Sequence, residues 1–281
     1  MFTRLLTARR FAPLFLCQFF SALNDNLLKQ ALVILITFTL AASGNGWLVP
    51  LAGAIFIAPY FFLSALGGEL ADRFDKAIVA RRLKLAEFGA AGLAVAGFAF
   101  HNLPTLFAAL FLFGVISALF GPLKYGILPD HLRPEELPAG NAYVEGATFI
   151  AILLGTIAGG YASKGGGDPA HFATAMLIVA AACYGASLLI PKTGQAAPDL
   201  EIDANVARST WHLLAELWRD ARLWRTGVMV SLFWMIGAII LSLLPPLVKT
   251  MMGGEEMVVS AYLAVFAISI AVGSALGSFL S

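Results

Sequence analysis

Apolar runs of about 20 residues, one after another for the whole length of the chain, limit what it can become more than any other feature. A run of that length matches the hydrocarbon thickness of a bilayer when it is helical. Bounded by charge, Gly or Pro, the runs fall at 11–40, 47–70, 78–100, 104–128, 137–162, 169–191, 226–249 and 257–281. The expectation is therefore an all-α membrane protein with about eight spanning helices. Composition agrees: 59% of the 281 residues are hydrophobic and only 12% are charged, with a mean hydropathy of +0.84. Soluble domains run near 45–50% apolar and about 25% charged. One soluble core of this size has no room for so much apolar surface, whereas lipid provides it.

The N-terminus could pass for a secretory leader, since Arg4, Arg9 and Arg10 precede an apolar run. That run continues past Asn24-Asp25-Asn26 to Leu40, too long for the apolar region of a signal peptide, and more spans follow. An uncleaved first helix is the reading. The last run reaches Ser281 without a closing polar segment, which reads as truncation.

Orientation follows from Lys and Arg. With the N-terminus in the cytoplasm, the inner segments hold Arg4, Arg9, Arg10, Arg73, Lys76, Arg81, Arg82, Lys84, Lys124, Arg133, Lys192, Arg208, Arg219, Arg222 and Arg225, fifteen of the 18 basic residues. The outer segments hold Lys164 and Lys249, and Lys29 lies inside the first span. This is a strong positive-inside bias. A net charge of +1 without a basic tail gives no reason to expect a nucleic-acid partner. Cys17 and Cys183 both lie in apolar stretches and are expected as buried thiols, not a disulfide or metal site.

The chain divides into a six-span bundle over residues 1–191, a cytoplasmic linker over 192–225, and the start of a second bundle over 226–281. Within the linker, Trp211, Leu214, Ala215 and Trp218 recur at helical spacing beside Arg219 and Arg222. The segment from Trp211 to Trp224 reads as an amphipathic helix, either lying on the membrane surface or simply joining the bundles.

Polar residues inside the spans are costly and mark function or structural pairing. An ionisable group near the bilayer centre costs at least ~2.5–3.5 kcal/mol on insertion scales. In the first span Gln18, Ser21, Asp25 and Lys29 share one helical face, flanked by Asn24 and Asn26. They form either a structural Asp25–Lys29 pair or a binding or gating group in a cavity. The fifth span has a second stripe, Asn141, Glu145, Thr148, Ile152, Gly155 and Gly159. Its glycines suit close helix packing, while Glu145 is a candidate cavity residue. Lys84 and Glu87, three apart, could neutralise each other. Lys124 could reach phosphate headgroups at the end of the fourth span. His101, His131, His171 and His212 lack Asp or Ser partners at telling spacing, and Gly165-Gly166-Gly167 lacks the Lys-Ser/Thr of a phosphate loop. The sequence suggests neither an enzyme nor a cofactor.

Between the second and third spans, Gly68-Glu69-Leu70-Ala71-Asp72-Arg73-Phe74-Asp75-Lys76 resembles the major facilitator loop signature, with Asp75 where Gly is usual. Gly68 would allow close helix approach. Asp72, Arg73 and Lys76 would form a conformational latch. Six spans, a long inner loop and further spans resemble the major facilitator layout, in which two six-helix halves surround a central cavity.

A narrower resemblance rests on Gln18-Phe19-Phe20-Ser21-Ala22-Leu23-Asn24-Asp25-Asn26, on Gly121-Pro122-Leu123-Lys124-Tyr125-Gly126-Ile127-Leu128, and on Glu145-Gly146-Ala147-Thr148 leading through Ile152 to Gly160. These segments resemble the bacterial lysophospholipid transporter family. The resemblance implies twelve spans, so about four are missing here. It implies movement of lysophospholipid, chiefly lysophosphatidylethanolamine, from the outer to the inner leaflet of the bacterial inner membrane. Re-esterification there falls to an acyltransferase and an acyl carrier protein synthetase, separate or fused to the transporter. Lys29, Lys84 or Lys124 would meet the lipid phosphate, Asp25 or Glu145 its ammonium, and Phe15, Phe19, Phe61 and Phe62 its acyl chain. Two rivals stand beside it: an exporter of another amphiphile or drug, and a non-transporting anchor for a fused acyltransferase.

Overall fold

The computed structural model describes residues 5–36, 47–163, 169–203 and 205–253, and helical residues scattered between 258 and 277. All regular structure among them is helical. The main helices are α1 (Ala12–Leu35), α2 (Leu48–Arg73), α3 (Lys76–Ala99), α4 (Leu103–Gly126), α5 (Leu137–Ser163), α6 (Pro169–Leu188), α7 (Val206–Arg219) and α8 (Ala221–Thr250). A single turn, Leu128–His131, and a 3-10 turn, Pro134–Glu136, connect α4 to α5.

Capping chemistry explains where the boundaries depart from the apolar runs. The third helix begins at Lys76, ahead of the apolar run at 78, because the Asp75 carboxylate accepts from the backbone N–H groups of Ala77 and Ile78. The amphipathic helix expected over 211–224 instead spans Val206–Arg219. Asn205 caps its start, and Asp220 both ends it and caps α8. Trp224 therefore belongs to α8. The outer part of the first run (37–40), Lys164, Gly165-Gly166-Gly167, the end at Ser281 and the side chains of His171 and Lys249 lie outside the described residues.

Eight spans are expected from the sequence. Three stretches combine spanning length with apolar composition among the described residues: Leu48–Arg73, Leu103–Gly126 and Pro134–Gly159. Phe172–Leu188 in α6 is apolar but shorter. α1 falls short because of its run of Asn24, Asp25, Asn26, Lys29 and Gln30, and α3 because of its basic first half.

Helices α1 to α6 pack into one body. α1 runs along α5 and also touches α6, α2 runs along α4, and α3 lies between α4 and α6. Lipid gives no hydrophobic drive to such pairing, so close van der Waals contact supplies it. At α1–α5, a Cβ added to Gly155 would meet the carbonyl oxygen of Leu23 at 2.6 Å, and one at Gly159 that of Leu27 at 2.8 Å. The small-residue face expected on the fifth span is thus the α1 contact.

The interior is built in tiers. One apolar core gathers Leu28, Leu32, Ala91, Leu110, Phe113 and Met176. A second, towards the α2–α3 connection, gathers Leu14, Cys17, Ala80, Leu123, Val144 and Cys183. On α1 the second core ends at Cys17 and the first begins at Leu27. Between them lie the buried polar residues Gln18, Ser21, Asn24, Asp25 and Asn26, level with Lys84 and Glu87 on α3 and Thr148 on α5.

Candidate functional site

This polar tier, set between two apolar cores, is the candidate site. Alternate turns of α1 address different neighbours. The Gln18 amide donates to the Thr148 hydroxyl of α5 at 2.9 Å. Ser21 donates to Glu87 Oε2 of α3 at 2.9 Å and accepts from Lys84 Nζ at 2.7 Å. Asp25 Oδ2 accepts from the Ser117 hydroxyl of α4 at 2.6 Å. Lys29 Nζ lies 5.6 Å from the Phe56 ring centroid of α2, a cation–π distance. Four helices thus converge on one stripe of α1.

Lys84 and Glu87 form an ion pair of 2.8 Å with side-chain exposures of 0% and 1%. Lys84 Nζ also stands 3.7 Å from the Phe120 ring centroid. Lys84 lies eight residues, roughly 12 Å, along α3 from its first residue, Lys76. The neutralising contact expected between Lys84 and Glu87 is made, and Ser21 completes it. Asp25 and Lys29 do not form an ion pair: Asp25 takes Ser117 instead, and Lys29 turns towards Phe56.

Glu145 joins the tier from α5. Its Oε1 accepts from the Tyr125 hydroxyl at 3.0 Å. Lys124 stands 4.9 Å from the Tyr125 ring centroid and within electrostatic reach of Glu145, Lys84 and Asp25. Tyr60 of α2 approaches Ser117 and Asp25. Asn141, by contrast, is exposed and takes no part in the tier. The Phe residues expected to form an acyl slot are dispersed. Phe15 packs with Phe11 and Tyr143, Phe19 with Phe20, and Phe61 and Phe62 are exposed on α2.

Several polar atoms of the tier are buried without a hydrogen-bond partner: both amide atoms of Asn24, Asp25 Oδ1, Asn26 Oδ1, Glu87 Oε1 and Glu145 Oε2. A buried unsatisfied group costs about 1–3 kcal/mol, more when charged. Concentrated in one layer, these atoms present acceptors and donors that a polar ligand can satisfy. Among the described residues no group of three metal-ligating side chains occurs.

The loop signature is built differently from the expectation. Gly68 faces open space. The close approach is made by Gly67, where an added Cβ would lie 2.7 Å from the Leu119 carbonyl oxygen. One residue along a helix turns the face by roughly 100°, so the second glycine points away from α4. Asp72 is exposed, and its carbonyl accepts from the Ala197 N–H at 2.8 Å; its carboxylate forms no ion pair among the described residues. Arg73 lies over the Phe74 ring. Lys76 is buried and paired with Asp130 at 2.8 Å.

Some functional contacts escaped sequence reasoning. Asp75 caps α3 and also accepts from the N–H groups of Thr193 and Gly194, tying the linker to the α2–α3 loop. Asp before a helical run is the signal that marks it. Arg10 forms a two-bond pair with Glu136 at 2.6 and 2.7 Å, and Arg10 also donates to the His131 carbonyl. Those partners are too far apart in sequence to be read as a pair. Ser117, a lone hydroxyl amid Phe, Ile and Leu, is the polar anomaly in the fourth span. Cys17 and Cys183 are both free and buried, with their Sγ atoms 3.9 Å apart.

The sequence profile of the Major Facilitator Superfamily matches residues 14–281. Among similar proteins, the lysophospholipid transporter LplT of Serratia proteamaculans is 31% identical, over 96% of this chain and 65% of its own length. The lysophospholipid transporters LplT of Salmonella paratyphi A and Salmonella agona are 32% identical, over 92% of this chain and 62% of theirs. The chain spans just under two thirds of the length of these curated relatives. A polar tier enclosed by apolar helices and a family match over nearly the whole chain lead to one assignment: this multi-pass membrane protein belongs to the Major Facilitator Superfamily, a family of transporters and not of enzymes.

Proposed function

We propose that the chain is the larger part of a carrier that moves lysophospholipid, chiefly lysophosphatidylethanolamine, from the outer to the inner leaflet of a bacterial inner membrane by alternating access. Residues 1–191 form the first six-helix bundle, 192–225 the cytoplasmic linker, and 226–281 the start of the second bundle, with the N-terminus in the cytoplasm. The observation that carries this reading is the enclosed polar tier. It joins three cations, Lys29, Lys84 and Lys124, with three carboxylates, Asp25, Glu87 and Glu145; Lys84, Asp25 and Glu87 are buried and the other three are half-buried. A balanced charge set suits a zwitterionic headgroup better than an anion or a cation alone. The similarity to lysophospholipid transporters supports the same cargo.

The geometry suggests a division of labour. Lys84 is committed to Glu87, which makes this pair structural. Lys29 and Lys124, which lie over aromatic rings and form no side-chain ion pair among the described residues, are the cations left for the phosphate. Asp25 and Glu145, each with one oxygen unpartnered, are the carboxylates for the ammonium. Asn24 and Asn26 add amide groups from the same helix. In the loop, Asp72, Arg73 and Lys76 belong to the latch, with Lys76–Asp130 as its ionic contact and Gly67, in place of Gly68, at the close approach to α4. A separate or fused acyltransferase and acyl carrier protein synthetase would consume the delivered lipid.

In proteoliposomes of the whole protein, Asp25→Ala or Lys29→Ala should abolish lysophosphatidylethanolamine uptake while the protein stays in the membrane. Undiminished uptake would refute the assignment of the tier.

A further inference from the structure

Helix α7 is better suited to lie in a lipid surface than to act as a plain link. At about 3.6 residues per turn, its residues sort into three bands. Val206, Ser209, Thr210 and Leu217 share the face of α7 turned to α2, with Leu213 at its exposed edge; there the Ser209 hydroxyl donates to Glu69 and the Asp203 N–H donates to the same carboxylate at 3.3 Å. Arg208, His212, Glu216 and Arg219 form a polar band on the far side. Between them runs an apolar stripe, Trp211, Leu214 and Trp218, with Trp211 71% and Trp218 68% exposed. The apolar arc is thus wider than the docked face, and its surplus is aromatic.

Position fixes what this stripe meets. Glu69 lies in the last turns of α2, a helix with the length and composition of a span, so α7 is anchored at the level where α2 leaves the apolar layer. Asp220 then starts α8 immediately. At this corner Trp218 and Trp224 pack edge-on, 4.6 Å between centroids. Arg219, Arg222 and Arg225 lie beside these two residues in the sequence, exposed and without a side-chain ion pair among the described residues. Trp at interfacial depth, bordered by arginines, is the arrangement that binds headgroup phosphates while the rings enter the acyl boundary.

We infer that α7 is an interfacial anchor for anionic phospholipid, with Trp211, Leu214 and Trp218 inserted, Arg219 and Arg222 on the headgroups, and Ser209–Glu69 setting its depth. This rests on membrane insertion alone, not on the identity of the cargo. The test is spin-label accessibility on the whole protein, reconstituted in vesicles of phosphatidylcholine alone or mixed with phosphatidylglycerol. Labels at Leu214→Cys and His212→Cys report the stripe and the polar band. The proposal expects the label at 214 to be several-fold more accessible to oxygen than to a water-soluble nickel chelate, and the label at 212 to show the reverse. Phosphatidylglycerol should deepen 214, and the joint substitution Arg219→Gln with Arg222→Gln should remove that deepening. Three results would overturn it: chelate access at 214 equal to that at 212, shielding of 214 from both reagents as under a protein partner, or the same depth in both vesicles.

Discussion

At the residue scale, the energetic weight falls on the buried ion pair. Removing one partner of such a pair leaves an uncompensated charge and costs about 3–5 kcal/mol, whereas replacing both with apolar residues is often neutral or better. Lys84 and Glu87, fully enclosed and bridged by Ser21, fit this case. Lys84→Met alone should lower thermal stability in detergent sharply. Lys84→Met combined with Glu87→Leu should recover most of the loss, because the remaining Ser21 can hydrogen bond to its own helix. Equal losses in the single and double variants would show that the pair is not structural. The stripe Gln18, Ser21, Asp25 and Lys29 was legible from spacing alone, since period and cost both mark it. Which helix each residue would meet was not. That depends on which helices surround α1: of the two readings of the stripe, the structural Asp25–Lys29 pair is not formed, because Asp25 meets Ser117 and Lys29 meets Phe56.

At the element scale, helix starts depend on single caps, and the linker depends on a few hydrogen bonds to the α2–α3 loop. Asp75, Asp72 and Glu69 hold residues from Thr193 to Ser209 along this end of the bundle. Apolar runs showed where the long helices lie. They could not show the ends of α3 or α7, which polar residues outside the runs decide. Similarly, Gly67 and Gly68 look equivalent in sequence, and only the facing α4 backbone distinguishes them. His131, between α4 and α5, adds a pH dependence. Burial lowers its pKa below the ordinary value of 6.5, so the fold favours the neutral ring. Its contribution is complete above that value and is lost as pH falls below it. Hydrogen exchange in the α4–α5 connection, corrected for intrinsic rates, should increase as pH falls from about 7 to about 5. His131→Phe should flatten that response, and an unchanged slope would exclude His131 as the cause.

At the scale of the whole molecule, six helices enclose a polar tier between two apolar cores, while α7 and α8 leave broad apolar faces exposed. The membrane class and the family could be read from the sequence because composition and the succession of apolar runs are properties of the chain as a whole. The tier could not, since it exists only when α1, α3, α4 and α5 are placed side by side. The central claim is that this tier receives the headgroup of a lysophospholipid. Photolabelling tests it most directly, using lysophosphatidylethanolamine with a photoreactive headgroup and mapping the adducts by mass spectrometry. The account predicts adducts on the peptides carrying Asp25, Lys124 and Glu145, displaced by unlabelled lysolipid but not by diacyl phospholipid. Adducts confined to the exposed faces of α2 and α8, and displaced equally by both lipids, would contradict it.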